Sequence, residues 1–228
     1  MSDPKDPARE AAARAVVEEI DAGTVIALGS GRAVWRAIEV MSERWPDGIP
    51  VQVIVASSLT HERAVAAGLE VLELDGTVAP VLAIDGADEL TADLALIKGG
   101  GGALLREKIV VASASRFVVV AETPKLVERL GQGFPLPVEV VRFAWQDTAR
   151  RLEAILPDGR RRETSGEPFV TDEGHYILDC PVPEGTDPEE LAAELSMVPG
   201  VVEHGLFIGM AEKAYLGTPE GGVQILEA

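Results

Sequence analysis

The chain of 228 residues is 46% hydrophobic and 25% charged, a balance that supports a packed globular fold and excludes a disordered one. Its formal net charge of −18 repels nucleic acid and anionic lipid over most of the surface, so any phosphate site must be a local basic pocket. A single cysteine, Cys180, excludes a disulfide framework, and His61, His175 and His204 show no metal-binding spacing, so metal-free chemistry is expected.

At the N-terminus, Met1-Ser2-Asp3-Pro4-Lys5-Asp6 is charged where a secretory signal would be apolar, which predicts a cytoplasmic protein. Ala11 to Ile20 places apolar residues at helical spacing, with Pro7 near the start and Gly23 past the end. Thr24 to Leu28 reads as a strand running through Gly29-Ser30-Gly31 into a helix from Arg32 to about Arg44. Val51 to Val55 repeats the strand signal, Thr60 to Ala67 the helix signal, and Glu70 to Leu74 and Val81 to Ile84 two further strands. This alternation predicts an α/β fold with a parallel sheet covered by helices on both faces. Leu104 to Ala114 reads as a helix, Phe117 to Ala121 as a strand, and Thr123-Pro124 as a helix N-cap followed by proline. Apolar runs such as Phe117 to Ala121 fall far short of the roughly 20 residues of a membrane-spanning helix, so no membrane partner is expected.

The texture changes at Gly131 to Pro137, which holds two glycines and two prolines. Val138 to Phe143 reads as a strand, Trp145 to Ile155 as a helix, Thr171-Asp172-Glu173-Gly174 as a hairpin turn, and Asp187 to Met197 as a helix. The strand–helix–strand–strand–helix–strand order from about 138 to 208 predicts a small α+β domain of the split βαβ kind. The tail from Lys213 to Leu226 is expected to return to the first sheet.

Three segments could carry chemistry. The Gly29-Ser30-Gly31-Arg32 turn joins a strand to a helix, where free N–H groups and the helix dipole suit an anion. The dinucleotide fingerprint is not met, because Val34 stands where its third glycine belongs; a plain structural turn is the alternative. Asp85-Gly86-Ala87-Asp88-Glu89 follows a buried strand, so its three carboxylates should gather at the sheet's C-terminal edge and raise one another's pKa; a capping turn is the alternative. In Lys98-Gly99-Gly100-Gly101-Gly102, consecutive glycines before a helix cost backbone entropy. Close approach of backbone N–H groups to an oxyanion, beside a lysine, gives them a reason; a flexible linker is the alternative. Glu107 and Lys125, taken alone, read as solvated residues at helix starts.

Together, Asp85-Gly86-Ala87-Asp88-Glu89, Lys98-Gly99-Gly100-Gly101, Arg106-Glu107-Lys108, Phe134-Pro135-Leu136-Pro137-Val138-Glu139-Val140 and Gly217-Thr218-Pro219 closely resemble the ribose-5-phosphate isomerase A family in order and spacing. The resemblance implies a Rossmann-like domain of residues 1–131 and 207–228, with a smaller ferredoxin-like α+β domain of residues 132–206. It also implies a homodimer or homotetramer, a sugar phosphate as partner, and a cofactor-free isomerase of the pentose phosphate pathway converting ribose 5-phosphate to ribulose 5-phosphate through an enediol. Glu107 would be the general base, Lys98 with the glycine N–H groups would hold the enediolate oxygen, and Asp85 and Asp88 would handle ring opening and hydroxyl protons. Substrate would contact Ser30, Gly31, Arg32, Ala33, Gly86, Ala87, Gly99, Gly100, Gly101 and Lys125.

One departure stands out. The family's first glycine loop usually reads Gly-Thr-Gly-Ser-Thr, whereas this chain has Gly29-Ser30-Gly31-Arg32-Ala33, so two hydroxyls expected near the phosphate are absent. Arg32 could supply a charged fork in their place, and Arg9 lies about where the family may offer another basic residue. The rival from another class is a sugar-phosphate-sensing module. Against it, this chain shows no basic DNA-binding segment and keeps the carboxylate and lysine positions that a sensor would not need.

Overall fold

Asp6 accepts a hydrogen bond from Ala8 N at 3.0 Å and Pro7 fills the first helical turn, so the first helix begins where its free N–H groups are capped. The computed structural model describes residues 6–228; the signal-free reading of Met1 to Lys5 lies outside the described residues. From there the chain runs α1 (Pro7–Val17), β1 (Val25–Leu28), α2 (Arg32–Arg44), β2 (Gln52–Val55), α3 (Ser58–Ala66), β3 (Glu70–Val71), β4 (Leu82–Asp85), β5 (Glu89–Leu90), β6 (Leu96–Ile97), α4 (Leu104–Ser113) and β7 (Phe117–Glu122). There follow β8 (Leu136–Val140), α5 (Trp145–Leu152), β9 (Arg160–Arg161), β10 (Glu163–Thr164), β11 (Glu167–Pro168), β12 (Tyr176–Cys180), α6 (Pro188–Ser196), β13 (Val201–His204), β14 (Leu206–Phe207), β15 (Lys213–Gly217) and β16 (Val223–Glu227).

Seven strands form the main sheet in the order β16-β15-β7-β4-β1-β2-β3, with only β16 antiparallel to its neighbour. Side chains alternate faces along each strand. Ile26, Leu28, Ile84, Val118 and Val120 meet Val16 and Val17 of α1 and Ile38 and Met41 of α2 on one face. Ala27, Ile54, Ala83 and Val119 meet Val110 and Val111 of α4, with Leu90, Leu96 and Phe207, on the other. Because both faces are covered, the strands read as unbroken apolar runs. The expected strand from Glu70 to Leu74 is shorter than its apolar run. It lies at the sheet edge with one neighbour, and after Leu72 N donates to Val53 O at 2.8 Å the chain leaves. The tail does return, as β15 beside β7 and β16 outside it.

Thr123 does not cap a helix. Thr123–Lys125 is a single 3-10 turn with no side-chain cap, because Leu126 bridges to Leu90 and Val127 N donates to Leu90 O at 2.8 Å, which draws the chain extended. Beyond it, β8, α5, β9, β12, α6 and β13 follow the expected order. Their sheet is antiparallel in the order β13-β8-β12-β9, and Leu152, Leu191 and Leu195 of its helices pack on Val138, Leu178 and Cys180. The Thr171–Gly174 turn is present, with Gly174 N donating to Thr171 O at 2.9 Å, but β11 before it pairs with β10 rather than β12.

A three-stranded sheet, β14-β6-β5, has no counterpart in the sequence reading. It lies between the main sheet and the antiparallel one: Lys98 N donates to Gly205 O at 2.9 Å and Gly205 N to Pro137 O at 2.8 Å. A side chain at Gly205 would meet Lys98 O at 2.2 Å, so glycine is required there. Among the described residues no helix is long and apolar enough to cross a membrane.

Candidate active site

The C-terminal ends of β1, β4 and β7 open onto one cavity of about 350 Å³, where parallel sheets present ligand sites. Gly29 follows β1, and a Cβ there would fall 1.8 Å from the Asp85 carboxyl carbon; only glycine lets the last residue of β4 tuck beneath this loop. Asp85 is fully buried, and its Oδ1 accepts from Ser30 N at 3.1 Å and Gly86 N at 2.7 Å. Its Oδ2 lies 2.7 Å from Lys98 Nζ, which also donates to Gly86 O at 2.8 Å and sits 3.2 Å from Glu107 Oε2. Lys98 and Glu107 are 2% and 3% exposed, so the three charges form one desolvated cluster.

Two anions and one cation in a dry site cannot all titrate normally. Burial pushes the Glu107 carboxyl up to about 8, the Asp85 carboxylate adding to the rise and Lys98 opposing it. Burial raises Asp85 likewise, against the pull of Lys98. Burial alone would pull Lys98 down, but the Asp85 and Glu107 carboxylates overturn this and hold its pKa above the ordinary value. A buried carboxyl titrating near neutrality beside a stable ammonium suits proton transfer.

Lys98 leads into the glycine run over the cavity. Gly99 and Gly102 have φ of +104° and +84°, the region that favours glycine. Gly100 N donates to Asp88 Oδ2 at 2.7 Å, and a Cβ on Gly100 would meet Asp88 Oδ1 at 2.6 Å. The opposite end of the cavity is the N-terminus of α2, where Ser30, Gly31, Arg32 and Ala33 form the wall and Gly31 offers no side-chain cap. The uncapped N–H groups of such a terminus attract an anion. Ser30 Oγ is 3.0 Å from Ser57 Oγ, which donates to Thr60 Oγ1. Gly86, Ala87, Asp88, Gly99, Gly100, Gly101, Glu107 and Lys125 complete the part of the lining anticipated from sequence. Asp85 lies beneath the floor and reaches the cavity through Lys98.

Other residues are placed differently. Glu89, expected with Asp85 and Asp88, turns away and accepts from Gly131 N at 2.6 Å and Gly133 N at 2.5 Å, pinning the segment that leads into β8. Arg9 stands behind the wall, 5% exposed, donating to Glu122 Oε1 at 2.6 Å. Glu122, Trp35 and Val120 line the cavity without having been anticipated; Glu122 could have been read from its place at the end of β7. The Thr171–Gly174 turn also docks here. Ser58 N and Arg106 Nη1 both donate to Asp172 Oδ2 at 3.0 Å, and Arg106 Nε donates to Glu173 at 2.6 Å, so the Thr171–Gly174 turn braces the helix that carries Glu107.

Comparison with known proteins agrees with this geometry. The profile of the family described as ribose 5-phosphate isomerase A (phosphoriboisomerase A) matches residues 52–221. The ribose-5-phosphate isomerase A of Gloeobacter violaceus is 46% identical over 222 residues, covering 97% of this chain and 96% of that protein; that of Bacillus mycoides is 41% identical over 200 residues, covering 87% and 90%. The solved ribose 5-phosphate isomerase A of Methanocaldococcus jannaschii superposes with a TM-score of 0.89 at 34% identity, over 96% of this chain and 98% of that one. A D-ribose-5-phosphate isomerase solved in complex with phospho-erythronic acid gives 0.90 at 32% identity, over 96% and 97%. The chain belongs to the ribose 5-phosphate isomerase A family.

Proposed function

We propose that this protein interconverts D-ribose 5-phosphate and D-ribulose 5-phosphate, and that the buried Asp85–Lys98–Glu107 cluster at the cavity floor carries the reaction. The Glu107 carboxylate takes the proton from C2 of the open-chain aldose, and the electron pair moves to the C1 carbonyl to give an enediolate. Lys98 and the glycine N–H groups stabilise that oxygen. Glu107 then returns the proton to C1, while the O2 hydroxyl proton passes to O1, with Asp88 as the carboxylate facing the cavity that can relay it and assist ring opening. Asp85 keeps Lys98 cationic and in place. Lys125, Gly86, Ala87 and Gly101 hold the sugar chain.

Residues 1–131 with 207–228 form the Rossmann-like catalytic unit on this reading, and residues 132–206 a ferredoxin-like one, a division supported by the two strand orders. Family membership suggests a homodimer or homotetramer working in the cytoplasm.

Purified, chelator-treated protein given ribose 5-phosphate is expected to form ribulose 5-phosphate; ligand binding with no turnover would instead support the sensing module. The phosphate is assigned to the α2 N-terminus, with Arg32 at its rim. Arg32→Ala is expected to raise KM about tenfold or more, the worth of a charge-assisted hydrogen bond, with kcat little changed. An unchanged KM in steady-state kinetics would remove Arg32 from the phosphate site.

A further inference from the structure

Arg162, just after β9 in the small unit, reaches across to the glycine run of the large one. Its Nη1 donates to Gly99 O at 2.9 Å and to Gly100 O at 3.1 Å. The rest of the guanidinium is held as a fork on Asp179, Nε to Oδ2 at 2.9 Å and Nη2 to Oδ1 at 2.5 Å. The side chain is only 13% exposed, and the Phe169 ring lies 5.8 Å from the guanidinium. That ring also covers Gly102, where a Cβ would meet it at 2.3 Å.

In a trans peptide the C=O and N–H point opposite ways. Fixing Gly99 O on Arg162 therefore turns Gly100 N–H the other way, where it meets Asp88 Oδ2 at 2.7 Å. Fixing Gly100 O likewise turns Gly101 N–H away from Arg162, and Gly101 lines the cavity. Glycine peptides left alone sample many orientations, and an amide that must reorient during reaction stabilises an oxyanion poorly. A planar fork that grips two carbonyls and a carboxylate at once fixes these orientations; a lysine point charge cannot.

We infer that Arg162, held by Asp179, is a positioning residue that clamps the Gly99 and Gly100 carbonyls, and so holds the Gly100 amide on Asp88 and presets the Gly101 amide for the enediolate oxygen. It touches no substrate, and the inference rests on the isomerase reading.

The test compares Arg162→Met and Arg162→Lys with the parent in steady-state kinetics, thermal melting, and binding of two probes. Phospho-erythronic acid, one carbon shorter than the substrate, ends in a planar, charged carboxylate that imitates the enediolate end of the intermediate, and inorganic phosphate probes the other end of the cavity. Arg162→Met is expected to lose about 10²-fold in kcat, the scale of one oxyanion donor. KM should stay within about threefold, phospho-erythronic acid should weaken in parallel with kcat, and inorganic phosphate should be unaffected. Arg162→Lys keeps a charge against Asp179 and should fold, yet still lose about tenfold in kcat for want of the fork. Folded variants with parental kcat, or variants in which phosphate weakens as much as phospho-erythronic acid, would overturn the clamp. If the parent itself failed to turn over ribose 5-phosphate, the isomerase reading would fall, while the phospho-erythronic acid comparison would still decide whether Arg162 sets the amides.

Discussion

Glu107→Gln is expected to lower kcat by about 10²- to 10⁴-fold, the contribution of a positioned general base, and yet to melt at a higher temperature than the parent in alkaline solution. The amide matches the carboxylate in size, so packing at the start of α4 is retained, but it cannot accept the C2 proton. Since only the ionised base works, the parent's kcat/KM should rise with pH until about 8, the value to which burial pushes Glu107. Stability moves the other way. The folded-state pKa lies above the unfolded value of 4.5, so between these values the folded chain binds a proton that the unfolded chain has released, and stability falls as pH rises through that window. Glutamine carries no such cost. Its melting advantage should be absent near pH 4, grow up to about pH 8 and stay level above, at about 2–4 °C for each kcal/mol relieved. Melting curves and pH–rate profiles for the two proteins decide the matter; an active variant, or a melting difference that ignores pH, would remove Glu107 from the role of base.

Lys98→Met is expected to lose activity by about 10²- to 10³-fold, the scale of a removed oxyanion donor, with the opposite effect on stability. It leaves Asp85 and Glu107 as two carboxylates, both almost wholly inaccessible, with the cation that lay 2.7 and 3.2 Å away removed. It also strips Gly86 O of its donor. Breaking a buried ion pair from one side costs about 3–5 kcal/mol. Protonation relieves the stranded carboxylates, so the loss should be largest above pH 8 and shrink towards pH 5. Adding Glu107→Gln to Lys98→Met should recover part of the melting temperature and none of the activity. Unchanged melting at pH 8 for the single variant would mean that the cluster is not desolvated as described.

Most of the large sheet was legible because strands covered on both faces are continuous apolar runs, and because Pro7 and Gly23 punctuate the first helix. The Lys98-to-Gly102 run was legible for a different reason: residues that weaken a helix start without adding packing need some other purpose. What escaped the sequence is what only tertiary pairing decides. Two-residue strands such as β5, β6 and β14 are too short to show a period, so the sheet that links the units was missed. Its turn carries Glu89 away from Asp85 and Asp88, though the three stand within five positions. The Thr123 turn was misread because its chain is captured by Leu90, a partner more than thirty positions away. Arg162 and Asp179 lie sixty or more residues beyond the glycines they steady, and in an arginine triplet within the small unit nothing local separates the clamp from surface charge.

The return of β15 to the main sheet also bears on how the protein is made. α1 crosses β15 so closely that a Cβ on Gly217 would fall 1.7 Å from Ala8 O, and β15 completes the hydrogen-bonding edge of β7. A ribosome delivers α1 and β7 early, the whole small unit next, and residues 213–217 only afterwards. Throughout that interval the edge of β7, whose residues 117–121 are all apolar and buried in the finished protein, stands open to any neighbouring strand. A nascent or clipped chain ending before residue 213 would therefore carry an adhesive edge, a mark for chaperones and proteases that pairing with residues 213–217 erases.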